Sequence, residues 1–493
     1  MKLLLSIYAA AAISAAGTPV QNVQSYLENA ISGKELSDAS AGALAVTASG
    51  DTIFCADSKK MLVPASNMKL VTTALGLHSL GGDYRYETSI GYSGTLTHGI
   101  LKGDLYIIGG GDPTTGSKDT IAPAIESVFR QWRQILKDAG IKKIEGHIIG
   151  DGRCFPGMPE QESWQYNDIG TYYGTGTSGL SFYENTQSFK VSAGDCAGAP
   201  VKITPSYPET PWMNFRYSCT TGKKGSGNTL YLYTSDLAPE GEFRGSFAID
   251  RKPKTEDASN KFPAYTCAYH FTEYLRGCGV ECTEGPADLG HIFGIPENRI
   301  CPQSDLSIIG STLSPQLARI AFETNHQSNN FFAETIFRTL GKEYCGSGCY
   351  DSSYVAVENL LEELNVGNEG IRIRDGSGLS RTNYISAEFL CRLLRTMMES
   401  PAFEDFFESL PYPGGNGTLQ WLMQSVPDRT RERIRMKSGS MGGVRSFSGY
   451  IIPRSGSKED TIIFSIIVNN FTCTSAEVNT RLNRIISLLA ECN

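Results

Sequence analysis

Helical spacing of apolar residues marks the two ends of this chain, and strand-like alternation marks its middle. Val20 to Ala30 reads as a short helix, Ala41 to Gly50 and Asp51 to Phe54 as two strands joined by a Ser-Gly-Asp turn, and Ser66 to Ser79 as a longer helix. At the far end, Arg445 to Pro453 and Asp460 to Asn470 are β-rich runs joined by Arg454-Ser-Gly-Ser-Lys-Glu459. Ala476 to Ala490 then sets Val478, Leu482, Ile485, Ile486 and Leu489 on one helical face. Both ends supply strands and a covering helix, which predicts one domain built from the two chain ends.

The middle differs. Asp83 to Gly150 shows short strands with Gly-rich turns and a helix near Ala122 to Ala139, and Phe182 to Ile249 alternates like β-structure with almost no helical period. Leu136-Lys-Asp-Ala-Gly-Ile-Lys-Lys-Ile-Glu-Gly146 is echoed by Leu275-Arg-Gly-Cys-Gly-Val-Glu-Cys-Thr-Glu-Gly285, each with the glycine expected just past a helix end. These predict two similar helix-to-strand units flanking an all-β insert. From Ser314 to about Pro401 the pattern is helical, with candidates at 314–324, 329–341, 353–364 and 386–399.

With 40% hydrophobic residues the chain has the apolar material for a large core, and 493 residues predict two to four domains at roughly 100 to 200 residues each. The net charge of −8 leaves no basic surplus for phosphates, so nucleic acid is not expected as a partner. Met1-Lys2, the apolar run from Leu3 and the small residues to Gly17 read as an export signal cut near Ala16. That run is shorter than the roughly 20 residues that span a bilayer, so membrane association is expected to be peripheral at most. Thirteen cysteines in an exported chain predict some disulfides, with at least one thiol left over. The close pairs Cys278/Cys282 and Cys345/Cys349 lack CxxC spacing, and the histidine nearest them in sequence is His270, so neither metal nor cofactor is expected.

Candidate chemistry begins at Pro64-Ala-Ser-Asn-Met-Lys69, where Ser66 and Lys69 share a helical face. A serine at a helix start lies near free backbone N–H groups, and a lysine one turn later takes its proton if that amine is kept neutral. The pattern is weak alone, since Ser455-Gly-Ser-Lys458 repeats it in a turn. Its weight comes from Ser328-Asn329-Asn330, in a polar break between two helices, and from Lys437-Ser-Gly439, which opens a β-rich run. A serine/lysine nucleophile, a Ser-x-Asn wall and a Lys-Ser-Gly strand, in that order, are what acylating penicillin-recognising enzymes need. Lys69 and Lys437 in one buried site are expected to depress each other's pKa by repulsion and desolvation.

Leu101-Lys-Gly-Asp-Leu-Tyr-Ile-Ile-Gly-Gly-Gly-Asp-Pro113, Asp375-Gly-Ser-Gly-Leu-Ser-Arg381 and Lys437-Ser-Gly-Ser-Met-Gly-Gly-Val-Arg-Ser-Phe-Ser-Gly-Tyr450 extend the match. Over nearly the whole mature chain it resembles the D-alanyl-D-alanine carboxypeptidase/endopeptidase family, the class C low-molecular-mass penicillin-binding proteins. The resemblance implies an α/β (α+β) fold, a penicillin-binding-protein/serine β-lactamase-like transpeptidase domain with a large β-rich insert between the first two motifs. The expected division is a signal peptide at 1–16, a catalytic domain at 20–84 plus 305–493, an inserted α/β domain at 85–184 plus 265–304, and a nested β-rich insert at 185–264.

The resemblance further implies that Ser66 attacks the D-Ala-D-Ala carbonyl of a peptidoglycan stem peptide with Lys69 as base, in the periplasm. Ser328 relays a proton to the leaving amine, Asn330 binds a substrate amide, and Lys437 supplies a positive field. Ser438 binds the substrate carboxylate beside Gly439, and the N–H groups of Ser66 and Ser440 form an oxyanion hole. Asp168 takes the amino group of the stem's diamino acid, and β-lactam antibiotics acylate Ser66. The Asp375-Gly-Ser-Gly378 turn is expected to be structural. Two other readings stay open: a β-lactam-hydrolysing enzyme of the same fold, and a noncatalytic cell-wall-binding protein. Glu363-Leu-Asn365 resembles the end of the class A β-lactamase E-x-E-L-N loop, but Leu361 stands where its first glutamate belongs. Gly111-Asp-Pro-Thr-Thr-Gly-Ser-Lys118 approximates a phosphate loop, with Ser117 where lysine is required.

Overall fold

The computed structural model describes residues 19–33 and 36–492, so the expected export signal over 1–16 lies outside the described residues. The two chain ends share one antiparallel sheet, in the order Thr52–Ala56, Ser40–Thr47, Ile462–Asn469, Val444–Ile451, Ile434–Met441. Its centre is the strand Ile462–Asn469, buried along its whole length. A continuous apolar run of this kind serves a strand covered on both faces. Ile462, Phe464, Ile466 and Val468 face a core shared with Val23, Leu27, Leu482 and Ile486 of the terminal helices Pro19–Ser32 and Ser475–Glu491. Ile463 and Ile467 face the opposite core, with Leu70, Val71, Phe332, Ile336 and Leu394. Those residues belong to the helices Met68–Leu80, Asn330–Cys345 and Ala387–Met397.

Along the chain, between helix Met68–Leu80 and helix Asn330–Cys345, lies a second, mixed sheet: Gly285–Asp288, His147–Asp151, Leu105–Ile108, Glu87–Tyr92, Ser307–Leu313. The two sequence echoes lie side by side: their short strands pair in a separate four-stranded sheet, and the strands that follow them pair in this one. Helix Ile125–Asp138 leads to Lys143–Ile144 and His147–Asp151, helix Pro263–Gly277 leads to Glu281–Cys282 and Gly285–Asp288, and the corresponding strands pair in parallel. Gly140 and Gly279, at φ +81° each, take the left-handed conformation that closes both helices. Between the two units sit two three-stranded sheets over residues 186–259, around Phe189, Leu232, Phe243 and Phe247.

All thirteen cysteines are thiols here, and no disulfide is formed. Cys219, Cys267, Cys282 and Cys391 are buried and pack as small apolar side chains.

One buried cation ties the two halves together. Arg338, on helix Asn330–Cys345, donates to the carbonyls of Gly348, Thr177 and Pro156 at 2.6, 3.1 and 2.8 Å. With no solvent to replace them, these bonds have no alternative in the folded state. Arg338→Met is expected to destabilise the protein by at least about 3 kcal/mol, read as a lower denaturation midpoint in urea.

Candidate active site

The strand Ile434–Met441 is the edge of its sheet: it pairs with Val444–Ile451, and on its other side Met436 N–H donates to the Pro411 carbonyl at 3.0 Å. Close to it runs the turn carrying Ser66, at a distance that Gly439 permits. A Cβ there would lie 2.5 Å from the Pro64 carbonyl oxygen and 3.1 Å from the Asn67 nitrogen. Ser446 Oγ donates to the Pro64 carbonyl and Asn67 Nδ2 donates to Ser448 Oγ, each at 2.7 Å, so the next strand also pins the turn.

Ser66 sits in a 3-10 turn, Ala65–Asn67, that feeds the helix Met68–Leu80. The sequence pattern predicts a single helix from Ser66; the tighter start accompanies Ala65, which is left-handed at φ +47°. Ser328 is also left-handed, at φ +57°. Such conformations cost non-glycine residues of order 1–3 kcal/mol and persist only where the surroundings enforce them.

Lys69 Nζ donates to Ser66 Oγ at 3.1 Å, Asn330 Oδ1 at 2.7 Å and the Ser377 carbonyl at 2.7 Å. All three partners are uncharged. Burial holds the Lys69 pKa down at about 7, against the upward pull of Asp375 and Glu334. Lys437 Nζ donates to Ser328 Oγ and to the Ser438 carbonyl, each at 2.9 Å. Burial and the nearby Lys69 hold its pKa well below the usual lysine range. The mutual depression expected of the two lysines is thus one-sided: Lys437 responds to Lys69, whereas Lys69 is governed by burial and two acids.

Neither acid was among the residues expected from sequence to act. Glu334 Oε1 accepts from the Ser377 N–H at 2.7 Å, orienting the residue whose carbonyl holds Lys69. Burial and Asp375 raise its pKa. Asp375 accepts from Trp164 Nε1 and Asn383 Nδ2 and from the N–H groups of Gly378 and Ser380, at 2.6 to 2.8 Å. The turn expected to be structural is therefore the platform under the lysine. Its Gly378, at φ +83°, faces Ala65 so closely that a Cβ would overlap the Ala65 carbonyl. One signal for Glu334 was available, since it stands one helical turn after Asn330 in an otherwise apolar run.

Two cavities flank Ser66. The first, of about 430 Å³, reaches Ser328, Ser438 and Gly439; the second, of about 390 Å³, reaches Asn330, Asp168 and Arg381; Ser66 and Ser440 line both. Asp168 accepts from Tyr173 Oη at 3.2 Å, and burial raises its pKa. Asn330 Nδ2 donates to the Tyr173 carbonyl at 2.9 Å, so its amide is taken up by Lys69 on one side and Tyr173 on the other. The structure thus gathers Ser66, Lys69, Ser328, Asn330, Lys437, Ser438, Gly439 and Ser440 around one cleft, with Asp168 on its rim. Leu361, by contrast, is packed in the helical core.

A serine, a poorly charged lysine on its hydroxyl and a second serine/lysine pair beside it form an acyl-transfer site. The profile of the D-Ala-D-Ala carboxypeptidase 3 (S13) family matches residues 23–491. The chain belongs to that family. It is accordingly a serine-type D-Ala-D-Ala carboxypeptidase. A D-alanyl-D-alanine carboxypeptidase of Actinomadura sp. (strain R39) is 28% identical over 458 residues, covering 90% of this chain and 78% of its own. A penicillin-sensitive carboxypeptidase A of Dictyostelium discoideum is 24% identical over 469 residues, 89% of this chain and 84% of its own. The crystal structure of penicillin binding protein 4 from Haemophilus influenzae superposes with a TM-score of 0.79 at 20% identity, covering 96% of this chain and 98% of that one. The same protein complexed with a β-lactam gives 0.74 at 18% identity, over 96% and 99%. These likenesses establish a shared fold.

Gly378→Ala forces a side chain into the Ala65 carbonyl and a left-handed backbone. It is expected to lower stability by at least about 2 kcal/mol and to abolish acylation of Ser66, measured by thermal melting and covalent penicillin labelling.

Proposed function

We propose that the protein releases the terminal D-Ala of peptidoglycan stem peptides through an acyl-enzyme on Ser66, and that β-lactams acylate the same serine. The observation that carries this reading is Lys69 Nζ, in hydrogen-bond contact with Ser66 Oγ while burial keeps it near neutrality. Ser66 Oγ attacks the carbonyl carbon and its proton passes to Lys69. The C–N bond breaks as Ser328, bonded to Lys437, relays that proton from Lys69 to the leaving amine, which leaves Lys69 neutral again. Water then attacks the ester carbonyl and gives a proton to Lys69, which returns it to Ser66 Oγ as the acyl C–O bond breaks and the shortened peptide leaves as its acid. The N–H groups of Ser66 and Ser440 stabilise the developing oxyanion, a contribution of about 2.7–4 kcal/mol in comparable sites.

The substrate lies along the sheet edge at Ser438 to Met441, past the Met436 N–H that Pro411 takes, where an extended peptide adds as a further strand. Asp168, in the second cavity, takes the ammonium of the stem's diamino acid. Residues 1–16 serve as an export signal, and no helix among the described residues is long and apolar enough to cross a membrane. The division into a catalytic domain at 20–84 plus 305–493, an insert at 85–184 plus 265–304 and a nested part at 185–264 is supported by the separate apolar cores of these parts. Efficient β-lactam hydrolysis is disfavoured because Glu363-Leu-Asn365 ends the core helix Tyr350–Glu363 and lines neither cavity at Ser66, so it supplies no water-positioning glutamate there. A purely binding role is disfavoured by the complete set of motif residues in contact geometry.

Fluorescent penicillin is expected to label Ser66 stably, as read by mass spectrometry, and the Ser66→Ala variant is expected to stay unlabelled. Rapid turnover without accumulation would favour the β-lactamase reading, and no reaction the binding protein. Because Lys69 acts as a base only when neutral, acylation is expected to rise as pH increases through about 7. A stopped-flow rate that is flat between about pH 5 and 9 would exclude Lys69 as that base.

A further inference from the structure

Arg445 is a cation whose Nε has no hydrogen-bond partner, in a cavity with no acid among its described lining residues. It lies on the strand Val444–Ile451 directly opposite Ser440, and Phe447 lies opposite Ser438. Cross-strand partners project from the same face of a sheet, so Arg445, Ser440 and Ser438 point to one side. That side is the wall of the 430 Å³ cavity that also contains Ser66 and Ser328. Arg445 Nε is buried with no hydrogen-bond partner, and no aspartate or glutamate lines the cavity. Asn479 Oδ1, on the C-terminal helix, is a second buried and unpaired polar atom of the same wall. Unpaired buried polar groups cost free energy until a ligand satisfies them.

The other cations of the cleft are already committed. Lys437 Nζ is spent on Ser328 and the Ser438 carbonyl. Burial and Lys69 also disfavour its charged form. Arg381, in the second cavity, donates to the Gly442 carbonyl and has Asp168 as an opposing charge. A guanidinium keeps its charge even when partly desolvated, and its planar fork matches a carboxylate. The two cavities therefore differ in balance: in one Asp168 and Arg381 oppose each other, and in the other Arg445 stands with no acid in the lining.

We infer that the cavity holding Arg445 is the leaving-group subsite, and that Arg445 binds the free α-carboxylate of the departing D-amino acid, with Ser438 beside it. This rests on the acyl-enzyme reading above. Arg445 then favours substrates that end in a free acid at the leaving residue over neutral ones.

The test compares a peptide ending in D-Ala-D-Ala with the same peptide ending in the C-terminal amide, in wild type, Arg445→Met and Arg445→Lys. Wild type is expected to prefer the acid. Arg445→Met is expected to lose roughly 30- to 100-fold in kcat/KM on the acid and far less on the amide, so that the preference collapses, with Arg445→Lys intermediate. Equal losses on both substrates, or no loss on the acid, would overturn the assignment. Unchanged thermal melting of Arg445→Met, together with penicillin labelling of Ser66 in wild type, separates that failure from failure of the acyl-enzyme reading. A wild type that turns over neither peptide and takes no penicillin overturns both.

Discussion

Everything in the cleft depends on holding the Lys69 ammonium away from water and from any contacting carboxylate. Three uncharged oxygens fix its position, and they come from three places in the chain: Ser66 before it, Asn330 on a helix start, and Ser377 in a buried turn. Asp375 opens that turn and Glu334 accepts from its Ser377 N–H, both near enough to moderate the lysine without pairing with it. A direct salt bridge would fix the charge and remove the base; complete isolation would leave no barrier to permanent neutrality. The observed arrangement lies between these limits, where a small change of environment moves the proton.

The same arrangement explains why the insert is more than an appendage. Tyr173 accepts from Asn330 and Trp164 donates to Asp375, so residues of the insert complete both supports of the lysine. Arg338 fastens the same region through backbone carbonyls. The inserted segment thus shapes the second cavity and helps set the electrostatics of the first motif.

Much of this was legible in the sequence because it rests on short spacings. Ser66 and Lys69 are one turn apart, and the all-apolar Ile462 to Val468 announces a strand covered on both faces. The left-handed glycines of the two helix-to-strand echoes were equally plain. What stayed hidden depends on distant contacts. Glu334 looks like an ordinary helix residue until Ser377 docks against it, and Asp375 like a turn residue until Lys69 lies above it. The start of the nucleophile helix was misjudged because Ala65 adopts a conformation its own propensity disfavours, enforced by Gly378 and the neighbouring strand. Arg445 gave no sign at all, since being unpaired is a property of the folded neighbourhood.

The central sheet places Ser40–Thr47 beside Ile462–Asn469, residues from opposite ends of the chain. Pairings this distant in sequence are slow to form, because a long loop must close before any contact rewards it. A nascent chain emerging from the ribosome therefore cannot assemble its nucleophile pocket until translation is nearly finished, whereas the segments between have local partners and can fold earlier. The order of synthesis becomes a built-in delay: a potentially destructive hydrolase stays inert while it is being made, and a truncated product carries the serine without the strand that would arm it.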